Sequence, residues 1–370
     1  MRVGIVGLPQ VGKTTIFNLL TLGKADTSPR GGGKSEAHVG VAHVPDSRLD
    51  QLAEIFQPEK ITYATVDYVD LPGLARGEGK AALEGQGKEM ASYLTSLKNV
   101  DALLHVVRGF EDSSIPHSEG SVEPARDIAL FDLEMIFSDL AIVEKRLERL
   151  AKDIKKMKSA DLEIEYEVLK RFKHALEEEQ PLRQLELTEE EKKRVRGFTF
   201  LSAKPILMIL NLGDQEAGKV PRAVEEFRLQ KYAAMRHVRI SAVCGKIEAE
   251  IASLPEADAR LFMEDLGLSG SGLARIIQES YKLLGLTSFY TAGEPEVRAW
   301  TIPCGSTAQK AAGVIHTDLE RGFIKAEVVP FQRMLEYRSF QEARSKGAVR
   351  LEGKDYIVQE GDVILFRFNV

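Results

Sequence analysis

Several short apolar runs recur along the chain, and a small or polar residue closes each of them. Val3 to Val6 runs into Gly7, "ATVDYVD" at 64–70 ends in Asp70, and "LMILN" ends in Asn211. "RISAVCGKIEAEI" at 239–251 supplies a further strand end at Ser241 and Ala242. A short run that is apolar without alternation suits a strand of a parallel sheet, buried on both faces. After the first run, Ile16, Phe17, Leu19 and Leu20 fall at helical spacing. Between the second and third runs the pattern changes. Apolar residues stand at Leu133, Ile136, Leu140, Val143, Leu147, Leu150, Ile154 and Met157, in steps of three and four that make a coiled-coil seam with charged residues between. A second helical stretch follows at Tyr166, Leu169, Phe172 and Leu176, and Pro181 breaks it. The pair predicts an antiparallel helical hairpin inserted into an α/β domain that resumes at "KPILMILN". Beyond "EPEVRAWTI" the period becomes two, in "FIKAEVV", "AVRLEG" and "DYIVQEGDVILFRF", with glycines between. The division predicted is 1–130 and 198–283 for a mostly parallel α/β domain, 131–197 for the inserted hairpin and 284–370 for a small β-rich domain.

The length of 370 residues fits such a division, and 44% hydrophobic with 29% charged residues is ordinary for a globular chain. A net charge of −6 provides no general steering toward polyanions, so a nucleic-acid partner would need a local basic patch. Residues 296–370 carry 11 Lys and Arg against 10 Asp and Glu, and Arg321, Lys325, Arg333 and Arg338 are the candidates for such a patch, or simply for solvated surface. DNA sequence recognition is not expected. The two cysteines, Cys244 and Cys304, are far apart and outside any CxxC, which fits a reducing compartment. The amino-terminal run is too short for a signal segment and no stretch is apolar enough to span a membrane, so a cytoplasmic protein, expected to be monomeric, is predicted. His316 and Asp318 have a metal-ligand spacing but no third ligand, and read better as a hydrogen-bonded pair.

The candidate chemistry lies in Gly7-Leu8-Pro9-Gln10-Val11-Gly12-Lys13-Thr14, a full GxxxxGK[ST] match placed after a strand and before a helix. Glycines let the backbone of Pro9 to Thr15 curl so that its successive N–H groups, from Gln10 on, and the helix start face a phosphate tail. Lys13 adds the positive charge, and the Thr14 hydroxyl is positioned to ligate Mg²⁺. Asp70, at the end of a neighbouring strand, would hold the same ion through water, and the Gly73 amide would sense a γ-phosphate. Lys13 and Gly73 are therefore the candidate catalytic residues. Signalling GTPases place a Gln after this glycine to orient the attacking water, whereas Leu74 stands here, which predicts slow hydrolysis. Arg76, Lys80 and Lys88 are nearby candidates to offset phosphate charge.

For the base, Asn211-Leu212-Gly213-Asp214 is half of an NKxD pattern. Asp214 suits the two adjacent donors of guanine, and Leu212 replaces the lysine whose stem would cover a base. Ser241 and Ala242 are predicted to offer backbone amides from the other side. In this order, the P-loop, the DxxG stretch followed by Leu, the N-x-x-acid motif and the SA pair resemble the YchF family of Obg-related P-loop NTPases, which prefer ATP to GTP. "DLGLSGSGLARII", "SYKLLGLTSFYTAGEPEVRAWTI", "GSTAQKAAGVIHTDLERGFIKAEV" and "RLEGKDYIVQEGDVILFRFNV" are similar to the same family's carboxyl-terminal half. The resemblance implies the inserted hairpin, a C-terminal TGS domain of β-grasp fold and a ribosomal or other ribonucleoprotein partner. This chain departs from the family pattern at Gln10, where Asn is usual, at Lys34 and Ser35, where a switch threonine is usual, and at Asp214, where Glu is usual. Together the readings predict a Mg²⁺-dependent switch that binds ATP somewhat better than GTP. A GTP-specific enzyme or a non-hydrolysing adaptor is the alternative.

Overall fold

The computed structural model describes residues 1–21, 38–71, 92–157, 159–266, 268 and 270–369. Gly73, Leu74, Arg76, Lys80, Lys88, Lys34 and Ser35 lie outside them. The strands of the first half are β1 (Arg2–Val6), β2 (His38–His43), β3 (Lys60–Thr62), β4 (Thr65–Asp70), β5 (Ala102–Arg108), β6 (Ile206–Asn211) and β7 (Val238–Val243). Those of the second are β8 (Leu286–Ala292), β9 (Glu296–Pro303), β10 (Phe323–Pro330), β11 (Arg350–Glu352) and β12 (Asp362–Phe368).

By contacts the chain divides into two units, 1–40 with 67–273 and 41–66 with 274–370. The first holds a sheet in the order β2-β4-β1-β5-β6-β7, and the pairs β1–β4, β1–β5, β5–β6 and β6–β7 are all parallel. Every residue of β5 and β6 is buried, as expected for a strand covered on both faces. Because these strands run the same way, their carboxyl ends meet at one edge. The order reverses at β1, and in such sheets the crevice at the reversal is where ligands bind. The end of β1 is therefore the place that the topology marks.

The helical pair grows out of this unit as Pro124–Lys156 and Ala160–Glu177. The expected seam forms much of its core: Ile136, Val143 and Leu150 are buried against Val168, Leu169, Phe172 and Leu176, with Leu140, Leu147 and Ile154 packed beside them. Met157, the last expected member, is 63% exposed and caps the helix instead. Two polar contacts fix the base of the pair. The Asp139 carboxylate accepts from the backbone N–H of Leu201 at 2.9 Å and of Ser202 at 2.7 Å, and the buried Arg183 guanidinium reaches Asp132 at 2.5 Å. Removing one partner would strand the other in a dry interior, so these contacts dictate where the hairpin returns to β6.

In the second unit β8 and β9 form an antiparallel hairpin, β10 is antiparallel to both β11 and β12, and β12 lies parallel to β8. The last strand thus sits centrally beside the first, in the β-grasp arrangement, and Ala308, Ala311 and Ala312 of helix Ala308–Ile315 pack on Phe289, Ile302, Ala326 and Val328. Period-two patterning predicted β10 and β12 well. The first half of "DYIVQEGDVILFRF" is turn, with a single bridge from Ile357 to Thr307. Residues 41–66 join this unit, where the domain division expected from sequence had left them in the first. β3 extends the sheet beside β9 in parallel. Asp46 caps helix Ser47–Phe56 and also binds Arg48 Nε at 2.8 Å and the Tyr290 hydroxyl at 2.5 Å. His316 caps the short helix Thr317–Arg321, its Nδ1 accepting from the Asp318 N–H at 3.2 Å, so that pair is a cap.

His105 of β5 is buried beside β1, its ring tilted against that of Phe131 with centroids 4.4 Å apart. Burial, with Lys13 and Arg183 nearby, pushes its pKa down to about 3, so the native ring stays neutral. An unfolded histidine takes up a proton near pH 6.5, and the native state refuses it. Stability is thus retained above about pH 6.5 and lost as pH falls toward the native value. Between pH 7 and pH 5 the wild type is expected to lose about 2 kcal/mol more than a His105→Phe variant. Urea denaturation of both proteins at the two pH values measures the difference, and parallel losses would contradict the assignment.

Candidate nucleotide site

The turn from β1 into helix Lys13–Thr21 is shaped by two glycines. Gly7 has φ +144°, and a Cβ there would lie 2.3 Å from the carbonyl oxygen of Val106. Gly12 has φ +97°, and its Cβ would lie 2.4 Å from Asn211 Nδ2. Neither position accepts a side chain, because the turn must pass so close to β5 and β6. Gln10, exposed at the tip, also has positive φ, at 62°. Pro9 and Gln10 line a cavity of about 320 Å³ together with Gly7, Leu8, Tyr93 and His105.

Lys13 turns its ammonium back over the loop, donating to the carbonyls of Gly7 at 2.9 Å and Leu8 at 2.7 Å. Burial lowers its pKa, and Asp70 opposes that shift. Asp70 is the mirror case: burial raises its pKa, while Lys13, the Thr14 hydroxyl and His38 pull it down. The Thr14 hydroxyl lies 3.4 Å from Asp70 Oδ2. A hydroxyl and a carboxylate on one side, with an ammonium beside them, form an oxygen-only donor set suited to a hard divalent cation next to an anion. Thr14 and Thr15 are exposed at the helix start, whereas the Val11 side chain is buried, which leaves only its backbone for binding.

Asn211 ends β6 and holds two loops together. Its Nδ2 donates to the Val11 carbonyl at 2.9 Å, and its Oδ1 accepts from the Gly245 N–H at 3.1 Å. Leu212 is 2% exposed and belongs to the sheet's apolar core, so its side chain is not available to cover a base, as expected for an apolar residue flanked by Gly109. Asp214 begins the next turn. Its Oδ2 receives the Lys246 ammonium at 2.6 Å and its Oδ1 receives the Cys244 thiol at 3.5 Å. These bonds, the one from Lys246 foremost, hold its pKa below the usual carboxylate range.

Ser241 and Ala242 do not stand at the strand end expected for them. Both are buried inside β7, in register with Ile209 and Leu210 of β6, and the strand continues to Val243. The turn that faces Asp214 is Cys244-Gly245-Lys246, three residues further on. Sequence reasoning missed it because the apolar run "ISAV" offers no stop before Cys244. The available signal was Gly245, a residue that can open a helix close to another backbone. A Cβ there would meet Asn211 Oδ1 at 3.1 Å. Thus Lys13, Thr14, Asp70, Asn211 and Asp214 converge on the carboxyl edge of the sheet, Ser241 and Ala242 lie within it, and Gly73 falls outside the described residues. Among the described residues no group of three or more His, Cys, Asp or Glu side chains could hold a metal, so any cation here would need other oxygens besides Asp70.

Comparison with known proteins agrees with this geometry. A family model described as 50S ribosome-binding GTPase matches residues 2–129, and the YchF-GTPase_C model, described as a protein of unknown function, matches residues 286–369. The chain is 42% identical over 370 residues to the ribosome-binding ATPase YchF of Bacillus subtilis (strain 168), covering 100% of both proteins. It is 41% identical over 369 residues to the ribosome-binding ATPase YchF of Escherichia coli O157:H7, covering 100% of this chain and 99% of that one. The solved Schizosaccharomyces pombe YchF GTPase superposes with a TM-score of 0.84 at 29% identity, covering 99% of this chain and 97% of the other. With its full length matched, its P-loop sheet and its carboxyl-terminal region in place, this chain belongs to the YchF family.

Proposed function

We propose that the protein is a Mg²⁺-dependent purine nucleoside triphosphatase that favours ATP over GTP, turns over slowly and acts as a nucleotide-controlled switch on ribosomes or another RNA–protein partner. The observation that carries the reading is the convergence of Lys13, Thr14 and Asp70 at the mouth of a glycine turn whose N–H groups open a helix. Backbone donors, a helix start and a half-buried ammonium suit a polyphosphate tail. Thr14 and, through water, Asp70 would hold Mg²⁺, which when bound would supply positive charge to offset that of the phosphates. Lys13 would hold the phosphates in line, and the Gly73 amide would report on the last of them. Pro9, Gln10, Val11, Gly12 and Thr15 contribute backbone to the same cradle, and Asn211 keeps that cradle against the base corner of Leu212 and Asp214. The slow rate is inferred from Leu74 in the position of a water-orienting glutamine. The names of the bacterial relatives, ribosome-binding ATPases, support the partner and ATP. Asp214 favours a second reading, in which GTP is the substrate, since a carboxylate matches two guanine donors.

The division into a nucleotide domain, an inserted hairpin and a TGS-like carboxyl-terminal domain is part of the same reading, the hairpin and the β-grasp unit serving as the parts that read out the nucleotide state. No helix among the described residues is long and apolar enough to cross a membrane. We place the protein in the cytoplasm as a monomer.

Lys13→Ala is expected to lower purine triphosphate turnover by roughly tenfold or more, and EDTA to abolish it. Phosphate release from purified protein measures both. Equal turnover in the variant contradicts the site, and stoichiometric binding with no turnover in the presence of ribosomes points to the adaptor instead. Asn211→Ala leaves the Val11 carbonyl and the Gly245 N–H without their partner, and is expected to cost about 1–3 kcal/mol in urea denaturation and to weaken triphosphate binding. An unchanged midpoint contradicts the clamp.

A further inference from the structure

The base corner holds a feature that the P-loop does not require. Both oxygens of Asp214 are engaged, Oδ2 by the Lys246 ammonium at 2.6 Å and Oδ1 by the Cys244 thiol at 3.5 Å. The two donors flank Gly245, whose own N–H is tied to Asn211, so they are presented from a turn anchored to the same residue that anchors the P-loop. Lys246 remains 71% exposed and Asp214 48% exposed at their side chains, which leaves this corner open to a ligand edge.

The purine edges differ in what they ask of such a corner. Guanine presents two adjacent donors, N1–H and the N2 amino group, which a bare carboxylate takes in a bidentate way. Adenine presents one donor, the N6 amino group, beside the N1 acceptor, and two carboxylate oxygens facing that edge would set an acceptor against an acceptor. An ammonium on one oxygen changes the pattern to one donor beside one acceptor. That pattern fits N1 and N6 of adenine, and it equally fits O6 and N1–H of guanine.

We propose that Lys246 is a specificity-determining residue that masks one oxygen of Asp214 and so widens the site's acceptance from guanine to both purine triphosphates. The proposal rests on the nucleotide-binding reading above and deepens it. Lys246 acts on the base through Asp214 and has no part in the phosphate chemistry. The mutual hydrogen bond raises the pKa of Lys246 and lowers that of Asp214, so both stay charged across the neutral range and the masking does not depend on pH there.

The test is the ratio of Kd for Mg·ATP to Kd for Mg·GTP, measured by calorimetry on the full chain as wild type, Lys246→Ala, Asp214→Asn and the double variant. Lys246→Ala is expected to raise that ratio about tenfold toward GTP, the size of one charge-assisted hydrogen bond gained or lost. In the Asp214→Asn background the same substitution is expected to change the ratio less than twofold, because the carboxylate it acts through is gone. A ratio unmoved by Lys246→Ala while both nucleotides still bind overturns the proposal and leaves the nucleotide site standing. A shift toward ATP overturns it too, as does an equal shift in both backgrounds. Absence of binding by the wild type overturns the proposal together with the reading beneath it.

Discussion

One side chain holds the site in register. Asn211 spends its amide N–H on the P-loop carbonyl of Val11 and its amide oxygen on the N–H of Gly245, so a turn after β1 and a turn after β7 are joined through the end of β6. The contact is buried, where a lost partner is costly. It is also close enough to forbid a Cβ at Gly12. Gly12 is thus demanded twice, by the backbone curl toward a phosphate and by the asparagine that presses on the curl from behind. Much of the rest of the first unit, from the parallel ladder to the buried β5 and β6, supplies a rigid floor for that three-way junction.

Charges in this unit are placed with the same economy. Lys13 and Asp70 are each disfavoured by burial and each relieved by the other, which leaves a half-buried pair poised for a ligand that carries both a cation and negative charge. Away from the site, Asp139 and the Arg183–Asp132 pair have a structural task. They bind the base of the helical hairpin to the residues that lead into β6, so the hairpin is anchored to the strand that carries Asn211.

Much of this was legible in the sequence, for physical reasons. A short apolar run followed by a glycine-rich turn and a helical period has few other solutions, so β1, the P-loop and its helix could be read directly. The seam from Ile136 to Ile154 was equally clear, because a two-helix hairpin must hide one stripe per helix. Less could be read where one apolar run serves two purposes. "ISAVC" gives no internal mark of where β7 stops: Ser241 and Ala242, expected at its end, lie within it, and the turn that reaches Asp214 and Asn211 is Cys244-Gly245-Lys246. Leu212 stands where a base-covering lysine would, and its apolar side chain follows its chemistry into the core. The affiliation of residues 41–66 with the carboxyl-terminal unit depends on β3 finding β9 and Asp46 finding Tyr290, pairings of distant residues that no local period announces.

The central claim is that the turn at residues 7–14 wraps a triphosphate. A crystal structure of the protein with Mg²⁺ and a non-hydrolysable ATP or GTP analogue tests it most directly. The account predicts phosphate oxygens within about 3 Å of Lys13 Nζ and of the loop N–H groups, with Asn211 still bonded to Val11 and Gly245. An analogue bound elsewhere, with the turn unchanged and its N–H groups facing only protein, would contradict it.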